Sequence, residues 1–215
     1  MATSVATTIM GRQGYAAVPL EAPADEDVAR ARFYALFSQL LARPMDTATL
    51  ESVRALSGNE SDFGRAIGLF ADEARVATVE TATEEYGALF YGMGAGGELL
   101  PYGSFYRTGL VYDKPLADLR GDLARLGIGA KADLSEPEDH MAFLCEVMHG
   151  LITGAFGESQ PLSVQRDFFR AHIEPWGERF FADLEKAKSA RVYAPLGAIG
   201  RLFMAIESEG FAVDP

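Results

Sequence analysis

The stretch "RARFYALFSQLLARP", residues 30–44, decides the fold class. Phe33, Leu36, Phe37, Leu40 and Leu41 recur at intervals of three and four, the spacing that puts every apolar side chain on one face of an α-helix, and Pro44 closes the run. The same period returns along the chain in Phe63, Ile67, Phe70 and Ala74, in Leu116, Leu119, Leu123 and Leu126, and in Leu196, Ile199, Phe203 and Ile206. Trp176, Phe180, Phe181 and Leu184 form a further face. No segment sustains the apolar-polar alternation of a half-buried strand. Pro44, Pro115, Pro137, Pro161, Pro175 and Pro195 each stand at or just before a helical stretch, where a missing N–H costs nothing. These signals predict an all-α fold of about nine helices.

Composition bounds the rest. With 215 residues and 48% hydrophobic content the chain can bury a large core, either as one compact helical domain or as two closely packed halves. The expected halves run over residues 26–126 and 135–215 with a linker at 127–134, after a flexible tail at 1–25. Cys145 is the one cysteine, so no intrachain disulfide and no multi-cysteine metal site can form, as suits a reducing compartment. A formal net charge of −12 argues against nucleic acid and anionic membranes as partners and favours a basic one. No apolar run reaches the ~18 residues needed to span a bilayer, and the first residues lack a basic start followed by an apolar run, so a cytoplasmic protein is expected.

Three motifs invite chemistry that their context does not support. "GMGAGG", residues 92–97, satisfies G-x-G-x-x-G, with Asp113 or Asp118 near the distance of a ribose-binding acid. That fingerprint must join a strand to a helix, whereas the preceding "EEYGALFYG" is helical in pattern and Pro101 follows closely. Cys145 and His149 share a helical face, but Cys145 continues the stripe Met141, Met148 and Ile152, which marks it as core. Ser104 in "PYGSFYRTG" lacks the G-x-S-x-G elbow and is expected in a turn or cap. His140, His149 and His172 are scattered, so no metal or other cofactor is implied.

"SEPEDHMAFLCEVMHG", residues 135–150, is richer. Ser135 and Glu138 have the spacing of a capping box, with Pro137 in the first turn and Glu136, Glu138 and Asp139 beside the positive end of the helix dipole. Capping does not account for Asp139 and His140 standing side by side. As helix neighbours they point about 100° apart, too far to pair as base and orienting carboxylate without a third group, yet both can line one groove. A solvated helix start, a binding surface and an acid–base site are the readings the residues leave open, the last as part of a nucleotide-dependent switch or hydrolase.

At these residues the chain resembles the TorD/DmsD/NarJ family of redox-enzyme maturation chaperones. "EPEDH", residues 136–140, matches the family's E-P-x-D-H pattern. "EEYGALFYG" resembles its E-Y-x-x-L-F segment, "PYGSFYRTG" its P-x-x-S-x-Y element and "HIEPWGERFFADL" its H-x-x-P-W segment, with Tyr102 and Tyr106 standing where part of the family has tryptophan. The resemblance implies an all-helical cytoplasmic chaperone without catalysis or cofactor of its own. Its implied partner is the catalytic subunit of a molybdopterin-dependent oxidoreductase, gripped in part through a twin-arginine signal peptide, and the protein itself is a monomer or domain-swapped dimer. A receptor for that peptide needs carboxylates beside an apolar groove. Glu136, Glu138 and Asp139 are the expected charge at its mouth and Leu89, Phe90, Tyr102, Phe105 and Tyr106 the apolar surface, with Pro137, His140, Pro101, Gly103 and Ser104 as further expected contacts.

Overall fold

The computed structural model describes residues 25–91, 97–129 and 136–213. The tail, Gly92 and Gly94 of the glycine-rich loop, most of the 127–134 linker, and Ser135 lie outside the described residues.

Among the described residues ten α-helices, against about nine predicted from the periodicity, follow in order: α1 (Asp25–Ala42), α2 (Thr47–Arg54), α3 (Asp62–Val76), α4 (Val79–Tyr86), α5 (Gly103–Thr108), α6 (Lys114–Arg125), α7 (Met141–Thr153), α8 (Leu162–His172), α9 (Gly177–Lys186) and α10 (Tyr193–Val213). The extra element is the six-residue α5, too short to show a period. A π-helical turn, Gly87–Tyr91, continues α4. There is no strand among the described residues; the one extended pairing is an isolated antiparallel bridge between Tyr102 and His140. No described helix is long and apolar enough to cross a membrane.

Local chemistry sets many of the helix starts. Asp46, Ser61 and Thr78 each accept a backbone N–H two or three residues into the helix they precede, satisfying donors that have no partner within the helix. The start of α10 is held from a distance: the Glu85 carboxylate accepts the N–H groups of Arg191, Val192 and Tyr193, while Glu98 accepts those of Lys188 and Ser189.

The core is one continuous cluster to which both expected halves contribute. The α1 helix packs antiparallel to α7, so that Ser38 and Ala42 lie with Ala142 and Phe143 while the carbonyl of Ala31 accepts from His149 Nδ1 at 2.9 Å. The α3 and α9 helices pack on α10, with Gly197 and Gly200 allowing close approach: a Cβ on Gly200 would fall 2.1 Å from the ring of Phe181. Cys145 is buried in this core, as its stripe predicts. The α1 stripe is rotated relative to the sequence reading. Phe37, Leu40 and Leu41 are buried, Phe33 and Leu36 only partly, and Tyr34 is fully buried because its hydroxyl donates to Glu207 at 2.8 Å.

Candidate functional site

The helix that "EPEDH" precedes begins at Met141 rather than at Ser135. Its N-cap is His140, whose Nδ1 accepts the N–H of Ala142 at 3.1 Å, which places the imidazole proton on Nε2. The expected capping box is therefore corrected. Glu138 pairs instead with Arg120 of α6, at 2.7 to 3.0 Å, and its carboxyl sits below the ordinary range: partial burial pushes it up, but the Arg120 hydrogen bonds, a backbone hydrogen bond and the guanidinium charge together outweigh that. The helix starts late because Asp139 and Met141 are bonded across to another segment. Gly103 N–H donates to the Asp139 carbonyl at 2.9 Å, Met141 N–H to the Pro101 carbonyl at 2.8 Å, and Ser104 N–H to Asp139 Oδ2 at 2.6 Å.

Asp139 thus supplies from a distant segment the cap that α5 lacks locally, since Tyr102 at the N-cap position makes no side-chain bond. Asp139 and His140 are adjacent because one starts α5 and the other starts α7. Each is committed to a different helix, and both are buried, at 2% and 8% exposure. This geometry does not assemble an acid–base pair from them. The glycine-rich loop follows a helix and a π turn rather than a strand, so the dinucleotide fingerprint has no strand to its N-terminal side.

Above this junction a cleft of about 200 Å³ opens between α1, the π turn, the 101–102 segment and the start of α7. Tyr86, Phe90, Tyr91, Tyr102 and Phe143 form aromatic walls, Pro101, Pro137, Ser38 and Ala42 complete them, and Glu136, His140 and Glu146 supply polar groups. Among the described residues no lysine or arginine lines it. The Tyr102 hydroxyl donates to Glu136, fixing that carboxylate at the rim; burial, then this bond, pushes the phenol's titration above its ordinary range.

Of the residues expected from sequence, the cleft brings together Phe90, Pro101, Tyr102, Glu136, Pro137 and His140. Asp139, Gly103 and Ser104 lie beneath them as support, and Leu89 is buried in the core. Tyr106 faces the other way: its ring lies 5.3 Å from that of Trp176, and its hydroxyl donates to Asp183 at 3.0 Å. Trp176 also abuts Gly103, where a Cβ would fall 3.1 Å from the indole nitrogen. The sequence reading missed Ser38, Ala42, Tyr86, Tyr91, Ala142, Phe143 and Glu146. Glu146 was open to detection, as the one acid in the otherwise apolar α7.

Burial pushes the His140 imidazole down to about 4. An unfolded histidine titrates near 6.5, so between about 6.5 and 4 the unfolded chain binds the extra proton. The contribution of His140 is complete above pH 6.5 and is lost as pH falls towards 4, where protonation also removes the acceptor that caps α7. His140→Asn keeps a capping oxygen without the titration. Its melting temperature is expected to fall less than the parent's between pH 7 and 5, in melts run at matched ionic strength.

A family model described as the nitrate reductase delta subunit matches residues 57–182, and the chain belongs to that family, the TorD/DmsD/NarJ group its motifs resemble. Similar proteins include the chaperone protein TorD of Vibrio atlanticus, 26% identical over 53% of this chain and 56% of the relative, and that of Aliivibrio fischeri, 32% identical over 38% and 41%. The chain thus aligns with about half the length of these relatives. A longer match, 24% identical, joins 82% of this chain to 90% of the Vibrio parahaemolyticus TorD. In fold, the chain resembles a crystal structure of an Archaeoglobus fulgidus protein described as a redox enzyme maturation protein, with a TM-score of 0.54, 25% identity, and 82% and 93% of the two chains covered.

Proposed function

We propose that the chain is a non-catalytic cytoplasmic chaperone that binds the catalytic subunit of a molybdopterin-dependent oxidoreductase during cofactor insertion and assembly, and that the cleft takes arginine side chains of a twin-arginine signal peptide. The observation that carries this reading is a cleft whose aromatic walls stand beside two carboxylates, Glu136 and Glu146, with no lysine or arginine among its described lining residues. A guanidinium is the group this chemistry suits: it stacks on aromatic faces, donates in parallel to carboxylates and is more weakly hydrated than an ammonium. Family membership and the names of the relatives support the chaperone class.

Within this reading Glu136 accepts from the arginine, Tyr102 orients Glu136, and Phe90, Tyr91 and Phe143 provide stacking surface. Pro101, Pro137 and the edge of His140 shape the mouth. Asp139, Gly103 and Ser104 act by holding that mouth together, not by touching the client. The test is calorimetric titration of a twin-arginine peptide into the parent and into Glu136→Gln. Loss of one charge-assisted contact at a partly exposed site is expected to weaken binding about tenfold. Unchanged affinity, or equal affinity for a peptide with both arginines replaced by lysine, would remove the cleft from the proposal.

A further inference from the structure

At the opposite end of the α1–α7 pair lies a second recess, a groove of about 950 Å³ between the start of α1, the loop after α7, the start of α8 and the last half of α10. Its apolar floor includes Phe33, Phe63, Phe203 and Phe211. Ile206 continues the α10 stripe of Leu196, Ile199 and Phe203, so its register is that of a core residue, yet it is 53% exposed and borders the groove. Leu162 on the facing wall is 39% exposed. An uncovered continuation of a core stripe is an apolar surface in want of a partner.

Charge indicates which partner. Glu26, Asp27 and Glu158 stand around the groove and Glu207 lies in its floor, with Arg30 the one basic residue lining it among the described residues. Arg30 is already engaged: its guanidinium donates to Glu207 at 2.7 and 3.0 Å, to Asp27 at 2.8 Å and to Gln165 at 3.1 Å. Glu26 and Glu158 are exposed, and among the described residues no further cation lines the groove to neutralise them. An apolar floor within an acidic rim attracts a basic amphipathic segment and disfavours an acidic one.

We propose that this groove docks a basic amphipathic helix of a partner polypeptide, its apolar face on Phe33, Phe63 and Ile206 and its lysines or arginines over Glu26 and Glu158. The site is separate from the arginine cleft and does not depend on it: Ser38 and Ala42 border the cleft and Glu26 to Phe33 the groove, so both can be filled at once.

The probe is a fluorescein-labelled peptide of leucine and lysine in amphipathic register, about 14 residues or roughly four helical turns, titrated against the full chain by anisotropy. The same peptide with glutamate for lysine is the control. The lysine peptide is expected to bind at least about tenfold more tightly than its acidic counterpart. Ile206→Asp, and separately Glu26→Lys with Glu158→Lys, should each weaken it about tenfold with melting temperature retained, whereas Glu136→Gln should leave it unchanged. A loss of twin-arginine binding in Glu136→Gln with lysine-peptide binding intact separates the two sites; failure of the cleft test alone leaves the groove standing. Equal binding of the two peptides, or variants that bind like the parent, overturns the proposal. So does binding that emerges only when residues 1–24 are removed, which assigns the groove to the chain's own segment, and so does a dimer that Ile206→Asp dissolves, which assigns it to a second copy.

Discussion

Glu207→Ala is expected to lower the unfolding free energy by about 3–5 kcal/mol, the cost of breaking a buried ion pair by removing one partner. Glu207 is 4% exposed; it receives two bonds from Arg30 and a third from the Tyr34 hydroxyl, linking α10 to α1, and Gln165 of α8 joins the same guanidinium. Truncation leaves Arg30, 12% exposed, with Asp27 as its remaining carboxylate and strands the Tyr34 hydroxyl. Urea unfolding measures the loss. The control is the double replacement Arg30→Met with Glu207→Met, which removes both charges and should recover most of the stability, because a buried pair is worth little more than the apolar packing that replaces it. A single variant within about 1 kcal/mol of the parent would show that water reaches the pair.

The helices were legible because burial imposes a period on local sequence, and the stripes beginning at Phe63, Leu116 and Trp176 lie where that period placed them. The network around Glu207 was not. Arg30 and Glu207 are separated by 177 positions, and nothing local distinguishes a glutamate that meets a buried arginine from one that meets water. The start of α7 was misplaced for a related reason. Ser135 and Glu138 satisfy a local rule, but Asp139, His140 and Met141 are bonded to residues 101–104 or to α7 itself, and those bonds set the boundary.

The motifs that carried the family resemblance prove to be joints. Glu85 of "EEYGALFYG" caps α10, and Tyr86 donates to the Leu41 carbonyl at 2.9 Å. "PYGS" bonds to "EPEDH", and Trp176 of "HIEPWGERFFADL" packs on Gly103 and Tyr106. Sequence placed the first two of these beside one another as a surface, and the cleft does form at their junction, while the residues of highest chemical interest hold the junction together. A carboxylate beside a histidine looks the same in sequence whether it faces solvent or starts a neighbouring helix.

Asp139 decides between those two roles. Asp139→Ala removes the acceptor of the buried Ser104 N–H and should cost about 1.5–3 kcal/mol of stability, the range for a hydrogen bond to a charged group with its partner left buried. It should weaken twin-arginine peptide binding as well, because the start of α5 carries the Tyr102–His140 bridge and Tyr102 orients Glu136. Asp139→Asn retains an oxygen for Ser104 and loses only the charge, so it should cost about 1 kcal/mol or less and leave affinity near the parent's. Direct contact with the client predicts the reverse for Asn: unchanged melting temperature and a loss of ten- to a hundredfold in affinity, since Asp139 Oδ1 has no hydrogen-bond partner among the described residues and an incoming guanidinium would take it. Thermal melts and calorimetry on the two variants place Asp139 either under the cleft, as a strut for its mouth, or in it, as the charge that reads the arginine.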